Sequence, residues 1–143
     1  MALIPDDVRE YIQDLSEKNH LLDGLEFEDI QIELAMKLAV GEYNLLPPLA
    51  SENVDTFPYD SILMTGTLYK LFMGQAALLA RNTMSYTDGN LQIPIEERSQ
   101  LYQSLATMYQ QDFINSAIGV KKYLNLESGW GEIRSDYAAF PLW

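Results

Sequence analysis

The chain has 143 residues, of which nine are lysine or arginine and 21 are aspartate or glutamate, so its formal net charge is −12. This length suits one domain with its own core, and a hydrophobic content of 48% is too high for intrinsic disorder. There is no cysteine, which excludes disulfides, cysteine-ligated zinc and thiol nucleophiles. The acidity argues against binding of a phosphate backbone, which needs clustered Lys and Arg.

The charge is divided unevenly along the chain. Residues 1–60 hold 14 acids and three bases, a net charge of −11, whereas residues 61–143 hold seven acids and six bases, a net charge of −1. Most aromatic residues lie in the second part. We therefore interpret the acidic part as facing solvent or a lumen and the neutral part as the assembly surface. Residues 1–5 lack the basic start of a secretory signal.

A short first helix is predicted over residues 5–15. Pro5 fits a first helical turn, and Asp6 and Asp7 suit the positive end of the helix dipole. Residues 19–24 are predicted to form a turn that contains His20, the single histidine. A catalytic or metal-binding role for His20 would need partners brought in by the fold, so we expect a solvated polar side chain.

A second helix is predicted over residues 28–45. Pro47-Pro48 ends it, because neither proline can donate a backbone hydrogen bond. Apolar residues at helical spacing form a single stripe, which comprises Ile30, Leu34, Ala35, Leu38, Ala39 and Tyr43. Glu33 and Lys37 lie outside this stripe.

The third predicted helix, over residues 59–82, is apolar nearly all round, which is typical of a helix covered on several sides. Gly66, Gly74 and Ala77 share one face and predict the close approach of a neighbouring backbone. The apolar run is long enough for a membrane span, but Lys70 stands at its middle. A central Lys costs about 2.5–3.5 kcal/mol to insert, which favours a buried helix and no membrane association.

A small β-hairpin is predicted between the third and fourth helices. Apolar residues alternate before and after Asp88-Gly89, a pair that tolerates the positive φ of a tight turn. An isolated hairpin is marginal in water, so this one is predicted to be a contact element formed by Tyr86, Asp88, Gly89 and Leu91.

The fourth helix is predicted to begin near Ile95 and to present one long apolar face made of Leu105, Tyr109, Phe113, Ala117, Val120 and Leu124. Lys121 and Lys122 are expected in its last turn, where positive charge suits the dipole. The fold class is thus mainly α, a four-helix bundle-like domain with the small hairpin. It comprises a helical domain over residues 1–124 and an extended aromatic tail over residues 125–143.

The tail contains two glycines, Gly129 and Gly131, and no helical period. Disordered tails are poor in aromatic residues, so this one is expected to be buried, either on its own domain or in another subunit. The residues concerned are Trp130, Tyr137, Phe140, Leu142 and Trp143.

No pattern in the chain predicts catalysis, a cofactor or a metal. The paired acids Asp6-Asp7, Glu28-Asp29 and Glu96-Glu97 each stand at a predicted helix start, where acids are stabilising without a function. Ser128-Gly129-Trp130-Gly131 does not match a nucleophile elbow. Nine tyrosines without a basic groove do not make a stacking platform for nucleic acid.

Several stretches together resemble the small head–tail connector, or neck adaptor, proteins of tailed bacteriophages. The resemblance spreads over about residues 5–131 and rests on Phe27-Glu28-Asp29-Ile30, Glu42-Tyr43-Asn44, Pro47-Pro48, Leu78-Leu79-Ala80-Arg81-Asn82, Tyr86-Thr87-Asp88-Gly89 and Gly129-Trp130-Gly131. The long fourth helix adds to it.

The resemblance implies a structural virion protein, made in the host cytoplasm, that forms a homo-oligomeric ring, commonly of twelve copies, under the portal of the DNA-filled head. Its partners would be the portal protein, neighbouring copies and other neck or tail proteins, and DNA would pass without specific binding. The resemblance assigns docking on the portal or a neighbouring subunit to Trp130, Tyr137, Phe140, Leu142 and Trp143. The hairpin would be a second contact.

An alternative class is a small acidic inhibitor or DNA mimic of phage type. Such a protein would use the same carboxylates as surrogates for phosphates, as a monomer or dimer. This class gives no reason for the aromatic tail, which therefore distinguishes the two hypotheses.

Overall fold

The computed structural model describes the backbone of residues 2–20, 24–83 and 95–132, and the side chains of residues 2–20, 24–82 and 98–128. The described chain forms helices α1 (Pro5–Ile12), α2 (Asp29–Leu45), α3 (Asp60–Thr83) and α4 (Ile95–Glu132), with a short 3-10 helix (Val54–Thr56) before α3. The mainly helical fold class is confirmed. No strand occurs in these described ranges, and the hairpin predicted around Asp88-Gly89 lies outside them.

The first two helices begin where the sequence predicts, and side chains of the first turn stabilise both starts. The Asp7 carboxylate accepts a hydrogen bond from the Ile4 N–H at 3.0 Å, and the Gln31 side chain accepts one from the Glu28 N–H at 2.9 Å. Both contacts satisfy backbone donors that a helix start leaves free. Of the paired acids, Asp7 thus has a local role, which is to stabilise the start of its own helix.

The first helix ends three residues earlier than predicted. Gln13 adopts a left-handed conformation (φ 58°, ψ 34°), and the Asp14 N–H bonds back to the Arg9 carbonyl at 3.0 Å. This geometry closes a helix without a glycine. The chain then turns through His20, which is exposed, as expected.

Helix α3 lies between α2 and α4 and packs against both. Tyr43, near the end of α2, contacts Tyr59 just before α3, with ring centroids 6.4 Å apart. Phe27, just before α2, contacts Phe72 in the second half of α3, with centroids 6.3 Å apart. Helices α2 and α3 are therefore antiparallel.

Helices α3 and α4 are antiparallel as well. The Ser99 hydroxyl, near the start of α4, donates to the Ala76 carbonyl late in α3 at 3.2 Å. Further along α4, the Phe113 ring packs at Gly66 in the first half of α3. It follows that α2 and α4 run in the same direction.

The core is formed by apolar residues of α2, α3 and α4 with contributions from α1 and the loops: Val8, Phe27, Ile32, Ala35, Met36, Ala39, Val40, Tyr43, Phe57, Ile62, Leu63, Leu68, Leu71, Phe72, Ala106, Phe113 and Ala117. The close approach of a neighbouring backbone was predicted on the face of α3 that carries Gly66, Gly74 and Ala77. At Gly66 the close neighbours are the side chains of Ala39 and Phe113. The prediction is wrong at Gly74, which is exposed with open space beside it, and Ala77 is exposed as well.

Helix α4 is longer than predicted. It has 38 residues, or about 57 Å at 1.5 Å per residue, and it continues through Gly129 and Gly131 to Glu132. Residues 125–132, which were predicted to belong to the extended tail, are therefore helical. The division into a helical domain and a docking tail stays a prediction. Lys121 and Lys122 accordingly do not lie in the last turn.

Within the part of the chain that the structure describes, one helical segment, residues 60–82 of α3, is long and apolar enough by composition to cross a membrane. Half of its most apolar window is buried inside the fold, and α2 and α4 pack on it. This burial supports the prediction of a core helix.

Candidate interaction surfaces

Helix α2 has apolar residues on two opposite faces. Its inner face is buried and consists of Ile32, Ala35, Met36, Ala39, Val40 and Tyr43. Its outer face carries exposed Ile30, Leu34, Leu38 and Leu45, which we call the α2 outer stripe. Ile30 and Leu45 are each 74% exposed, so nothing within the described chain covers the ends of this stripe.

The structure thus divides the single stripe predicted on α2. Ala35, Ala39 and Tyr43 face the core, as expected, whereas Ile30, Leu34 and Leu38 point the other way. At 100° per residue, the centre of the whole buried face, which also includes Ile32, Met36 and Val40, lies about 165° around the helix from the centre of the outer stripe. Exposed apolar residues scattered singly need no explanation, but a contiguous row on one helix face marks an interaction surface.

Helix α4 has a similar outward row. Leu101, Leu105 and Met108 are exposed, with Leu101 at 64%, and we call them the α4 outer stripe. The core face of the same helix carries Ala106 and Phe113, both buried. The apolar face predicted from the sequence is correct for Phe113 and Ala117 and partly so for Tyr109 and Val120. It is wrong for Leu105 and Leu124, which are exposed.

The end of α4 projects beyond the helices on which it packs. Every side chain from residue 122 to residue 128 is exposed, including the apolar side chains of Tyr123, Leu124 and Leu126. We call residues 122–132 the α4 arm. Trp130, one of the predicted docking residues, lies in this helical arm, whereas Tyr137, Phe140, Leu142 and Trp143 lie outside the described residues.

A buried arginine ties α1 to the start of α2. The Arg9 guanidinium donates to the carboxylates of Asp6 and Asp29 and to the Phe27 carbonyl at 2.9 Å. Its Nε atom is buried without a hydrogen-bond partner. These contacts hold α1 against the N-terminal end of α2. Asp29, one of the paired acids noted in the sequence, thus has a structural role.

The loop between α1 and α2 is organised by a buried carboxylate. The Asp14 side chain accepts hydrogen bonds from Asn19 Nδ2 at 2.6 Å and from the backbone N–H groups of Glu26 and Phe27 at 2.8 and 2.9 Å. Such an acceptor satisfies buried backbone donors that have no other partner. Asp14 therefore sets where the chain enters α2.

Lys121, which was expected in the last turn of α4, is buried against the end of α2. Its Nζ donates to the carbonyls of Leu46 and Pro48, the latter at 2.8 Å, and lies 4.4 Å from the centroid of the Tyr43 ring. Burial lowers the pKa of Lys121, and the charge of Glu52 opposes this shift. Lys121 joins α4 to the turn after α2 and so positions α2 for its outward stripe.

Two half-buried polar contacts link the layers. Lys70 on α3 lies 2.5 Å from the Glu42 carboxylate on α2. Burial lowers the pKa of Lys70, but its hydrogen bond to Glu42 and the Glu42 charge outweigh this effect, so the net shift is upward. On the other side, Tyr102 on α4 donates to the Glu26 carboxylate. Burial first, and Glu26 second, raise the pKa of Tyr102 to about 12.

The acidic first part of the chain keeps most of its carboxylates at the surface. Among the described residues up to 60, the exposed acids are Asp6, Asp7, Glu10, Glu17, Glu28, Asp29, Glu33, Asp55 and Asp60. The expectation that the acidic part faces solvent agrees with this distribution. In the described ranges, no group of three or more His, Asp and Glu side chains is placed to hold a metal ion.

Taken together, the described residues define a mainly helical protein with uncovered apolar rows on two helices and a projecting helical arm. Comparisons with protein-family models, with curated proteins and with solved structures give no match.

Sequence reasoning missed the two outer stripes as surfaces. The signal that could have indicated them was present, because α2 has apolar residues at Ile32, Met36 and Val40 in addition to the predicted stripe. Two apolar rows on one helix imply two covered faces.

Proposed function

We propose that this chain is a structural subunit of a tailed-phage virion, a head–tail connector that forms a ring beneath the portal and joins the DNA-filled head to the tail. The observation that carries the proposal is the pair of opposite apolar faces on α2, of which the chain covers only one. A subunit of an assembly has such faces because neighbouring molecules bury them.

The projecting end of α4 supports the same role. A helix that continues for about two turns past its packing partners, with Tyr123, Leu124 and Leu126 uncovered, is suited to reach another subunit. In the proposal, docking on the portal or on an adjacent copy uses Trp130 of this arm together with Tyr137, Phe140, Leu142 and Trp143. The hairpin around Asp88-Gly89 remains a proposed second contact.

The exposed acids support passage of DNA without adhesion. Carboxylates repel phosphates, so a ring whose lumen is lined by some of the nine exposed acids would not hold the DNA that passes through it. Mapping the assembled ring tests this part of the proposal: acids confined to the outer surface would contradict it.

The central experiment is negative-stain imaging and native mass spectrometry of portal rings from the same virion, with and without the purified chain. We expect added density at one end of the portal and a mass increase equal to a whole number of chains. A chain that never joins the portal, yet binds a basic DNA-binding protein tightly as a monomer, would overturn the connector proposal in favour of the inhibitor or DNA-mimic alternative.

The role of the tail is tested by a chain that ends at Glu132. Because α4 continues to that residue, this truncation leaves every described helix intact. We expect an unchanged circular dichroism spectrum and loss of portal docking. A double variant, Phe140→Ala with Trp143→Ala, should show the same loss, whereas Arg134→Ala serves as the control. Docking by the truncated chain would contradict the assignment.

A further inference from the structure

We infer that the α2 outer stripe of one copy packs against the α4 outer stripe of the next copy, so that subunits join head to tail. The inference rests on the proposed function, because it names the contact by which the subunits of the ring would associate. It concerns Ile30, Leu34, Leu38 and Leu45 on one side and Leu101, Leu105 and Met108 on the other.

The two stripes cannot cover each other within one molecule. The α2 stripe lies opposite the buried face of α2, whereas the α4 stripe lies about 120° around its helix from buried Ala106 and Phe113. Because α3 packs between α2 and α4, the two rows are separate surfaces of the same subunit. A contact that uses two different surfaces leads to a closed ring or an open filament, whereas a contact of one surface with itself leads to a dimer.

The spacing of the two rows matches. Leu34, Leu38 and Gly41 follow one another at intervals of four and three residues, and Leu101, Leu105 and Met108 do the same. Because α2 and α4 run in the same direction in one copy, rotation about an axis along the helices keeps them parallel in neighbouring copies. When the row Leu34, Leu38, Gly41 is aligned with the row Leu101, Leu105, Met108, Leu38 lies opposite Leu105.

The same register places the smallest residue opposite a long flexible one. Gly41 has no atom of another residue near the position that a Cβ would occupy, so the surface of α2 has a notch there. Met108 lies opposite it. A small residue facing a large one lets two helices interdigitate.

Charge favours this pairing over a contact of α2 with itself. An α2 pair would bring together two copies of a helix whose net charge is −2, from Asp29, Glu33 and Glu42 against Lys37, and the exposed Asp29, Glu33 and Lys37 lie beside the stripe. The α4 stripe belongs to the part with a net charge of −1 and is flanked by one base, Arg98, and one acid, Asp112. The acidic surface thus meets a nearly neutral one, which reduces repulsion.

The size of the surface fits an interface centre. One partner would contribute the four exposed apolar side chains of the α2 outer stripe and the other the three of the α4 outer stripe. A stable interface buries about 800 Å² on each partner, so the stripes supply its apolar core and the flanking polar residues its rim.

The natural absence of cysteine permits a direct test by disulfide cross-linking. Leu38→Cys and Leu105→Cys are introduced in separate chains, which are mixed and oxidised, and the products are separated on a non-reducing gel. We expect a covalent heterodimer from the mixture and little product from either variant alone. A chain with both substitutions should give a ladder of oligomers.

Thr107→Cys is the matched control for Leu105→Cys, because Thr107 is exposed on the same helix and lies about 160° around it from Leu105. It should give no heterodimer with Leu38→Cys. Dimers from Leu38→Cys alone would overturn the inference in favour of an α2–α2 contact. Cross-linking by Thr107→Cys as efficient as by Leu105→Cys would overturn it as well.

A second test uses complementation between two charged variants, Leu38→Glu and Leu105→Glu. Both positions are exposed, so we expect both variants to fold with unchanged circular dichroism. By sedimentation over a series of concentrations, each alone should fail to form the oligomers of the unsubstituted chain. Their mixture should form a dimer, because one intact α2 stripe and one intact α4 stripe remain.

The results separate the interface from the function. The inference is overturned if the mixture of Leu38→Cys and Leu105→Cys gives no heterodimer and the unsubstituted chain does not self-associate at any concentration, while portal binding by the unsubstituted chain would still support the connector role. Normal rings formed by Leu38→Glu on a portal also overturn the inference and leave the role intact. Absence of both portal binding and self-association contradicts both proposals.

Discussion

A Cβ atom on Gly66 would lie 2.8 Å from two ring carbons of Phe113, which is closer than real Cβ atoms approach another atom. The same Cβ would also lie 2.8 Å from the Ala39 Cβ. Helices α2, α3 and α4 therefore meet at a point where no side chain fits. This contact sets the spacing of the three helices and, with it, the directions of the two outer stripes.

The first prediction follows from this contact. We expect Gly66→Ala to destabilise the fold by about 1–3 kcal/mol, because a methyl group there must displace Phe113 or Ala39. Gly74→Ala, on the same helix with open space beside it, should instead stabilise by up to about 1 kcal/mol through helix propensity. Urea unfolding followed by circular dichroism measures both. Stabilisation by Gly66→Ala together with destabilisation by Gly74→Ala, or no difference between the two variants, would contradict the prediction.

The second prediction concerns the buried lysine. Lys121→Met should lower the free energy of unfolding by about 1–3 kcal/mol, because the carbonyls of Leu46 and Pro48 lose their buried donor. Lys122→Met makes the same chemical change at the adjacent, exposed position and should stay within about 0.5 kcal/mol of the unsubstituted chain. Chemical unfolding is the measurement, and equal effects of the two variants would show that Lys121 does not act through these bonds.

The third prediction tests the loop before α2. The Glu26 and Phe27 N–H groups donate to different oxygens of Asp14, so Asp14→Asn turns an NH₂ group towards one of these two donors, and it should destabilise by about 1–3 kcal/mol. Glu17→Gln removes the same charge from an exposed site in the same loop and should be nearly neutral. Hydrogen exchange of the Glu26 and Phe27 amides should accelerate in Asp14→Asn alone. Unchanged exchange would contradict the assigned role.

The fourth prediction is a pH dependence at Tyr102. Since its pKa is raised to about 12 in the folded chain, the unfolded chain binds fewer protons between about pH 10 and 12, and stability falls as pH rises there. Tyr102→Phe should cost about 0.5–1.5 kcal/mol at neutral pH, where the bond to Glu26 is intact.

The same variant should lose less stability at alkaline pH. The difference in urea midpoint between the unsubstituted chain and Tyr102→Phe should therefore shrink from about pH 9 to about pH 11.5. Other tyrosines and lysines titrate in both proteins and cancel in this difference. Parallel profiles over this range would show that the pKa of Tyr102 is not raised.

The starts of α1 and α2 and the stop after α2 were correctly predicted because their causes are local. Pro47-Pro48 cannot continue a helix whatever surrounds it, and Asp7 and Gln31 act within their own first turns. The end of α4 was not predicted. Gly129 and Gly131 each cost about 1 kcal/mol, which suggested a break, but a long helix that is already nucleated continues through such positions.

Amino-acid sequence alone determined that this chain is mainly helical, where its first helices begin, and that its acids are concentrated in the first 60 residues. Tertiary structure decided which apolar face of α2 is buried and that Lys121 lies inside the fold instead of in solvent. Leu34 and Ala35 are both apolar, and helical spacing alone does not show which of them faces α3. That choice depends on packing at Gly66, where the missing side chain leaves room for both Ala39 of α2 and Phe113 of α4. Such a contact between three helices forms only in the folded chain.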